Sequence, residues 1–207
     1  MSSDVSRETP AHDERWGFAV PALRAYEAIL GGIGVERGLI GPREVDRLWD
    51  RHILNCVVLE ACIPQGATVI DVGSGAGLPG IPLALVRPDL TVTLLEPLLR
   101  RFEFLEAVVA ELGISDRVRV VRGRAEERLV TPADVVTARA VASLDKLVFW
   151  CAPLVKPGGS MVFLKGDRAQ EEITEAAPRL RKLKLNATIR AVGNTTAVIV
   201  SRDGGAQ

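Results

Sequence analysis

The sequence predicts an α/β fold built on a doubly wound, mostly parallel sheet, and three observations carry that prediction. From Ala67 onward, short β-rich apolar runs alternate with helical stretches, the signature of βαβ units. A glycine-rich loop, Asp71-Val72-Gly73-Ser74-Gly75-Ala76-Gly77-Leu78-Pro79-Gly80, follows the first of these runs and opens a helix. Near the end of the chain Gly193-Asn194 separates two further β-rich runs and marks a tight antiparallel turn.

The 207 residues, 47% of them hydrophobic, suffice for one sizeable core with a modest N-terminal addition. Residues 1–15 are polar and charged and are expected to be mobile. Residues 16–63 read as a helical extension, because apolar residues recur there at helical spacing: Leu23, Tyr26, Ile29 and Leu30 share one face. Gly31, Gly32 and Gly34 are expected to interrupt that helix, and a second is expected from Pro42 through His52 to Leu59. Residues 64–207 form the main domain. Its strands are expected at Thr68–Val72, Thr91–Leu95, Val118–Val121, Val135–Ala138 and Ser160–Leu164, with helices at Ile81–Val86, Leu98–Leu112 and Leu144–Leu154. A charged helix from Ala169 to Leu183 then precedes strands Ala187–Val192 and Ala197–Ser201, an antiparallel hairpin at one edge.

The 26 basic and 26 acidic residues cancel, so no global positive field attracts nucleic acid. A basic face would have to be gathered locally, and Arg100, Arg101, Arg117, Arg119, Arg122 and Arg124 are the candidates. Cys56, Cys62 and Cys151 have no metal-ligand spacing and read as buried or free thiols of a reducing cytoplasm, with no metal expected. No apolar stretch is long enough to span a bilayer, so the expected protein is neither secreted nor membrane-embedded, and a monomer is expected.

The glycine loop belongs at the C-terminal edge of the sheet, where doubly wound folds bind ligands. Taken alone it is ambiguous. Gly75-x-Gly77-x-x-Gly80 also satisfies the dinucleotide fingerprint, and Glu96, ending the second strand, can hold a ribose hydroxyl of NAD or of S-adenosylmethionine alike. Three features favour S-adenosylmethionine. Asp71 stands just ahead of a Gly73-x-Gly75-x-Gly77 run that looks like the first methyltransferase motif. Lys156-Pro157-Gly158-Gly159 leads into the fifth strand, as in many methyltransferases whose sheet closes with a hairpin. The segment beyond that strand is too short for a typical dehydrogenase substrate domain.

Four stretches taken together are more specific than the loop: Leu48-Trp49-Asp50-Arg51-His52-Ile53-Leu54-Asn55, Asp71 through Gly80 continued by Ile81-Pro82, Ala138-Arg139-Ala140-Val141-Ala142-Ser143-Leu144, and Leu164-Lys165-Gly166. In combination they resemble the bacterial 16S rRNA (guanine-N7) methyltransferase family, RsmG or GidB, over nearly the whole chain from Trp16. The resemblance implies a class I, Rossmann-like sheet of seven strands, S-adenosylmethionine as methyl donor, and 16S rRNA or the small ribosomal subunit as partner, with a guanine of the 530 loop as acceptor. It also implies that Gly73, Leu78, Ala125, Glu126 and Arg139 line the donor site. The chain departs from the family pattern at Asn55 and Cys56, where Asp and Ser are more usual, and at Glu96, where Asp is common.

Each remaining candidate has a sharp role and a plain one. Asp71 either orders the glycine loop by accepting backbone N–H bonds or is purely structural. Glu96 is assigned to the ribose hydroxyls. Glu126 approaches the adenine amino group or merely begins a short helix. Arg139, at the end of the fourth strand, can clamp the methionine carboxylate or a phosphate bidentately and is the leading candidate for positioning in catalysis. Lys165, at the end of the fifth, either contacts RNA as a second catalytic candidate or is a solvated lysine. His52 is assigned to packing or capping.

Guanine N7 has an in-plane lone pair and no proton, so it needs no general base. The sequence lacks both the Asn/Asp-Pro-Pro-aromatic motif used on exocyclic amines and a Pro-Cys nucleophile for cytosine C5, which fits that chemistry. The same absences fit a methyltransferase for another substrate, and a non-catalytic ribosome-assembly factor retaining a cofactor fold is a rival of a different class.

Overall fold

The computed structural model describes residues 15–139 and 142–202. The expectation of mobility for the N-terminal residues therefore lies, Arg15 apart, outside the described residues, as do Ala140 and Val141 of the third family stretch. Seven strands make one sheet: β1 Thr68–Val72, β2 Thr91–Glu96, β3 Val118–Arg122, β4 Ala133–Arg139, β5 Val155–Lys165, β6 Leu185–Val192 and β7 Thr195–Arg202. Their order is β3-β2-β1-β4-β5-β7-β6. All neighbouring pairs from β3 to β5 are parallel, and β7 runs antiparallel to both β5 and β6. The chain order reverses between β1 and β4, so the crevice beyond the C-terminal ends of those strands is the place for a ligand.

Burial explains why the central strands read as unbroken apolar runs. Both faces of β1, β2 and β4 are covered, and successive residues feed opposite sides. Val69, Val92, Leu94 and Val135 pack on one face against the N-terminal helices, α2 (Gly80–Val86) and α3 (Leu99–Glu111). Ile70, Leu95, Val136 and Phe163 pack on the other against α4 (Leu144–Cys151) and α5 (Ala169–Leu183). The helical extension thus shares a core with the sheet and contributes Leu23, Tyr26, Leu30, Leu48 and Ile53, all nearly inaccessible.

Two expectations need correction. Gly31, Gly32 and Gly34 do not break the first helix: α1 (Val20–Ile29) continues through a widened π turn, Leu30–Gly34. The buried apolar face of Leu23, Tyr26 and Leu30 outweighs their low helix propensity; a Cβ on Gly31 would meet Leu48 and Val45 only at ordinary contact distances, 3.6 and 3.7 Å, and one on Gly32 nothing within 4 Å. The second helix likewise changes its winding along residues 42–62, from 3-10 turns through a π segment, Leu48–Leu54, and back. The second correction concerns Lys156-Pro157-Gly158-Gly159, which lies inside β5. Ala133 pairs with Val155 but Val135 with Ser160, so the extra residues bulge outward.

Candidate active site

The loop after β1 is shaped by positive backbone φ at Gly73 (67°), Gly75 (59°) and Gly77 (103°), values that L side chains seldom adopt. Their surroundings differ. A Cβ on Gly75 would meet nothing closer than 3.8 Å, whereas one on Gly77 would fall 2.4 Å from Ile81 Cδ1 and 3.0 Å from the Tyr26 hydroxyl. Gly80 is held by close helix-to-strand packing, with Leu94 Cδ2 at 2.4 Å from the corresponding position. From outside the loop, the buried Tyr26 hydroxyl donates to the Ala76 carbonyl at 2.8 Å. Burial keeps that phenol protonated by raising its pKa well above the ordinary value.

Asp71 is fully buried. Its Oδ2 accepts the Gly80 N–H at 3.0 Å, and the Ser74 hydroxyl donates to the Asp71 carbonyl at 2.9 Å. Asp71 thus orders the two ends of the turn, while its Oδ1 has no hydrogen-bond partner among the described residues. Burial pushes this carboxyl up to about 7, against the opposing pull of the Gly80 N–H. Glu96 is also buried and grips the loop: Oε2 accepts the Gly75 N–H at 2.9 Å and Oε1 the Leu98 N–H at 3.0 Å.

These groups frame a trough of two neighbouring parts. The larger, about 520 Å³, is lined by Gly73, Gly75, Leu78, Glu96, Arg101 and Arg139, with His52 closing one side. The smaller, about 130 Å³, is an apolar slot between Val72, Leu95, Ala125, Glu126 and Trp150, and both parts touch Gly73 and Pro97. Glu126 is the middle residue of a short 3-10 turn, Ala125–Glu127, and stands at the slot, so the two readings of it are compatible. Gly77 and Asp71 do not line the trough; they hold its floor in shape.

Arg139 does not hang free. Its Nη1 donates to the His52 carbonyl at 3.2 Å and to Cys56 Sγ at 3.3 Å, and its Nη2 lies 2.7 Å from His52 Nδ1. Glu44 Oε2 approaches the other ring nitrogen at 2.8 Å. His52 is therefore more than a packing or capping residue, since it joins Glu44 to Arg139 at the rim of the trough. Burial pushes the Cys56 thiol up to about 11, so it meets the guanidinium as a neutral group. Lys165 is not a solvated lysine either: its side chain is 10% exposed and is paired with Glu172 at 2.7 Å.

The predicted basic face is only partly assembled. Arg101 and Arg124 line the trough. Arg117 precedes β3 at the opposite sheet edge and donates to the Ala84 carbonyl at 3.2 Å, and Arg119 donates to Thr93 Oγ1 at 2.9 Å. Sequence reasoning missed Tyr26 as a loop clamp, although a lone tyrosine on a buried helix face needs a partner for its hydroxyl. It also missed Glu44 and Glu172, for which no local pattern exists. Among the described residues no group of His, Cys, Asp and Glu could hold a metal, and no helix is long and apolar enough to cross a membrane.

The family model described as rRNA small subunit methyltransferase G matches residues 19–199. A ribosomal RNA small subunit methyltransferase G of Mycolicibacterium gilvum is 60% identical over 177 residues, covering 84% of this chain and 77% of that one. Its namesake in Streptomyces avermitilis is 62% identical over 160 residues, covering 76% and 67%. Among solved structures, the mitomycin 7-O-methyltransferase MmcR has a TM-score of 0.61 at 19% identity, covering 94% of this chain and 69% of its own. A structure from Methanococcus maripaludis, named a putative S-adenosylmethionine-dependent methyltransferase, gives 0.56 at 17%, covering 89% and 93%. At such identities these two structures speak for the fold alone.

Proposed function

Because the chain belongs to the rRNA small subunit methyltransferase G family, we propose that it transfers a methyl group from S-adenosylmethionine to N7 of a guanine in the 530 loop of 16S rRNA, acting as a cytoplasmic monomer. The observation that carries this reading is the trough. It offers a glycine loop with open space at Gly75, a buried acid at the end of β2 and an apolar slot beside β3, side by side at the switch point of the sheet.

The residues present fit the donor. The slot between Leu95, Ala125 and Trp150 suits an adenine ring, with Glu126 at its rim to accept from the amino group. Glu96 suits the ribose hydroxyls, with one constraint: its two oxygens already accept from Gly75 and Leu98, so each must use a second lone pair. Arg139 suits a carboxylate, because its planar fork is pre-aimed by His52 and Cys56.

The donor, when bound, supplies a sulfonium methyl. The N7 lone pair forms the new N–C bond as the S–C bond breaks, the positive charge passes to the purine, and no proton leaves. Nothing in the chain has to act as a base, so the work of Gly73, Glu96 and Arg139 is alignment, which is worth about 7–11 kcal/mol when reactants are well placed. The test is transfer of labelled methyl to small subunits from a strain lacking this activity, followed by nucleoside analysis. Label in N7-methylguanine of 16S rRNA is expected. Donor binding without turnover would favour the assembly-factor reading instead.

A further inference from the structure

Arg139 lines a second cavity as well as the trough. This cavity, about 470 Å³, opens at the same sheet edge between the ends of β4 and β5. Its wall carries Lys165, Glu172 and Thr195. Lys165 Nζ donates to the Ala142 carbonyl at 3.0 Å and to Glu172 Oε2 at 2.7 Å, and that same Oε2 accepts the Leu144 N–H at 2.8 Å. The load falls on one oxygen. Glu172 Oε1 makes no hydrogen bond among the described residues, and an ammonium with three donors has two in use. The side chains are 10% and 19% exposed, so one donor and one acceptor are held in place by the pair while still able to meet a ligand in the cavity.

We propose that this cavity is the acceptor-base subsite, in which Glu172 Oε1 accepts from N1–H and N2–H of guanine while Lys165 donates to O6. The assignment rests on the guanine-N7 reading above. Guanine places those groups along its Watson–Crick edge, while N7 lies on the adjoining Hoogsteen edge beside O6, so a base anchored at Glu172 and Lys165 leaves N7 uncovered to face Arg139, which also lines the donor trough. Adenine would set a lone pair at its N1 against the carboxylate and be rejected. The pairing also responds to the reaction. Methylation at N7 makes the ring cationic and N1–H more acidic, so the bond to Glu172 strengthens as the methyl arrives and favours the transition state over bound substrate.

The test compares small subunits reconstituted with guanine or with inosine at the target position; inosine keeps N7, O6 and N1–H and lacks the 2-amino group. Wild-type enzyme is expected to lose about 10-fold in kcat/KM on inosine, a typical cost of one mismatched base contact. Glu172→Gln is expected to keep donor affinity, to lose about 10- to 100-fold on guanine, and to treat the two bases nearly alike. A purely structural Glu172 would slow both substrates equally and leave the wild-type ratio intact, which overturns the proposal. Equal wild-type rates on the two bases overturn it too, even if the variant fails to fold. If wild-type enzyme makes no N7-methylated product from the guanine subunit, the underlying function fails rather than the subsite.

Discussion

Arg139 Nη2 sits 2.7 Å from His52 Nδ1, although 87 residues separate the two in sequence. An arginine can only donate, so Nδ1 must accept, and the ring proton resides on Nε2, donated to Glu44 at 2.8 Å. The contact fixes both the tautomer and the neutral state of His52, and it holds the Arg139 fork in place.

A pH dependence follows. Burial pushes His52 below its usual value, with Arg139 and Arg51 acting in the same direction and Glu44 opposing. The unfolded chain then takes up the proton first, so stability is complete above about pH 6.5 and falls as the pH drops through that value toward the folded one. Methyl transfer should fall at the lower pH where the folded ring itself takes up a proton, as protonated Nδ1 repels Arg139. His52→Gln, which keeps an acceptor and a donor but does not titrate, should flatten the acid side of both profiles. An unchanged acid limb in this variant would count against the role given to His52.

Asp71 gives the opposite sign. Its carboxyl rises from 3.8 to about 7 in the folded chain. Between those values the folded state retains a proton that the unfolded state has lost, so this residue's contribution declines as pH rises and is level above about 7. Asp71→Asn removes that slope. Denaturant unfolding at several pH values should show the variant gaining on wild type from pH 4 to 7; a constant difference would refute the assignment.

The two loop glycines should separate binding from stability. Gly77→Ala drives a methyl into Ile81 at 2.4 Å and should cost about 1–3 kcal/mol in unfolding free energy. Gly75→Val pays only the strain of its positive φ, about 1–2 kcal/mol, because its Cβ points into open space. That space lies in the trough, so a folded Gly75→Val protein should lose affinity for S-adenosylmethionine by calorimetry. Unchanged affinity would refute the donor assignment of the loop.

Tyr26→Phe leaves the Ala76 carbonyl without its partner inside the core. A loss of about 1–3 kcal/mol is expected in thermal or denaturant unfolding, together with weaker donor binding as the loop loosens. Full retention of both would show that the clamp is dispensable.

The pattern of success in reading the sequence has a physical origin. Strand positions and the edge hairpin were legible because period and turn chemistry are local, and the loop was legible because its glycines answer to backbone conformation. Tyr26 and Glu172 were not, because each acts on a group brought near only by tertiary packing: Tyr26 reaches Ala76 across 50 residues and Glu172 reaches Leu144 across 28. Glu44 was not, because it meets His52 eight residues on, where the winding passes from 3-10 to π and regular helix spacing does not apply. The basic run around β3 misled for the same reason, since spacing along the chain does not tell which sheet edge Arg117 and Arg119 occupy. Gly31 misled because burial of the helix's apolar face, Leu23, Tyr26 and Leu30, outweighs helix propensity.

The central claim is the atom that receives the methyl. N7-methylguanine carries a ring charge that makes the base labile, so borohydride followed by aniline should cut treated 16S rRNA at the modified nucleotide. Primer extension on RNA incubated with this protein and S-adenosylmethionine should then stop at one guanine of the 530 loop. Scission absent while methyl label is recovered in N2-methylguanine, another nucleoside or protein would contradict the account, even with the donor trough correctly assigned.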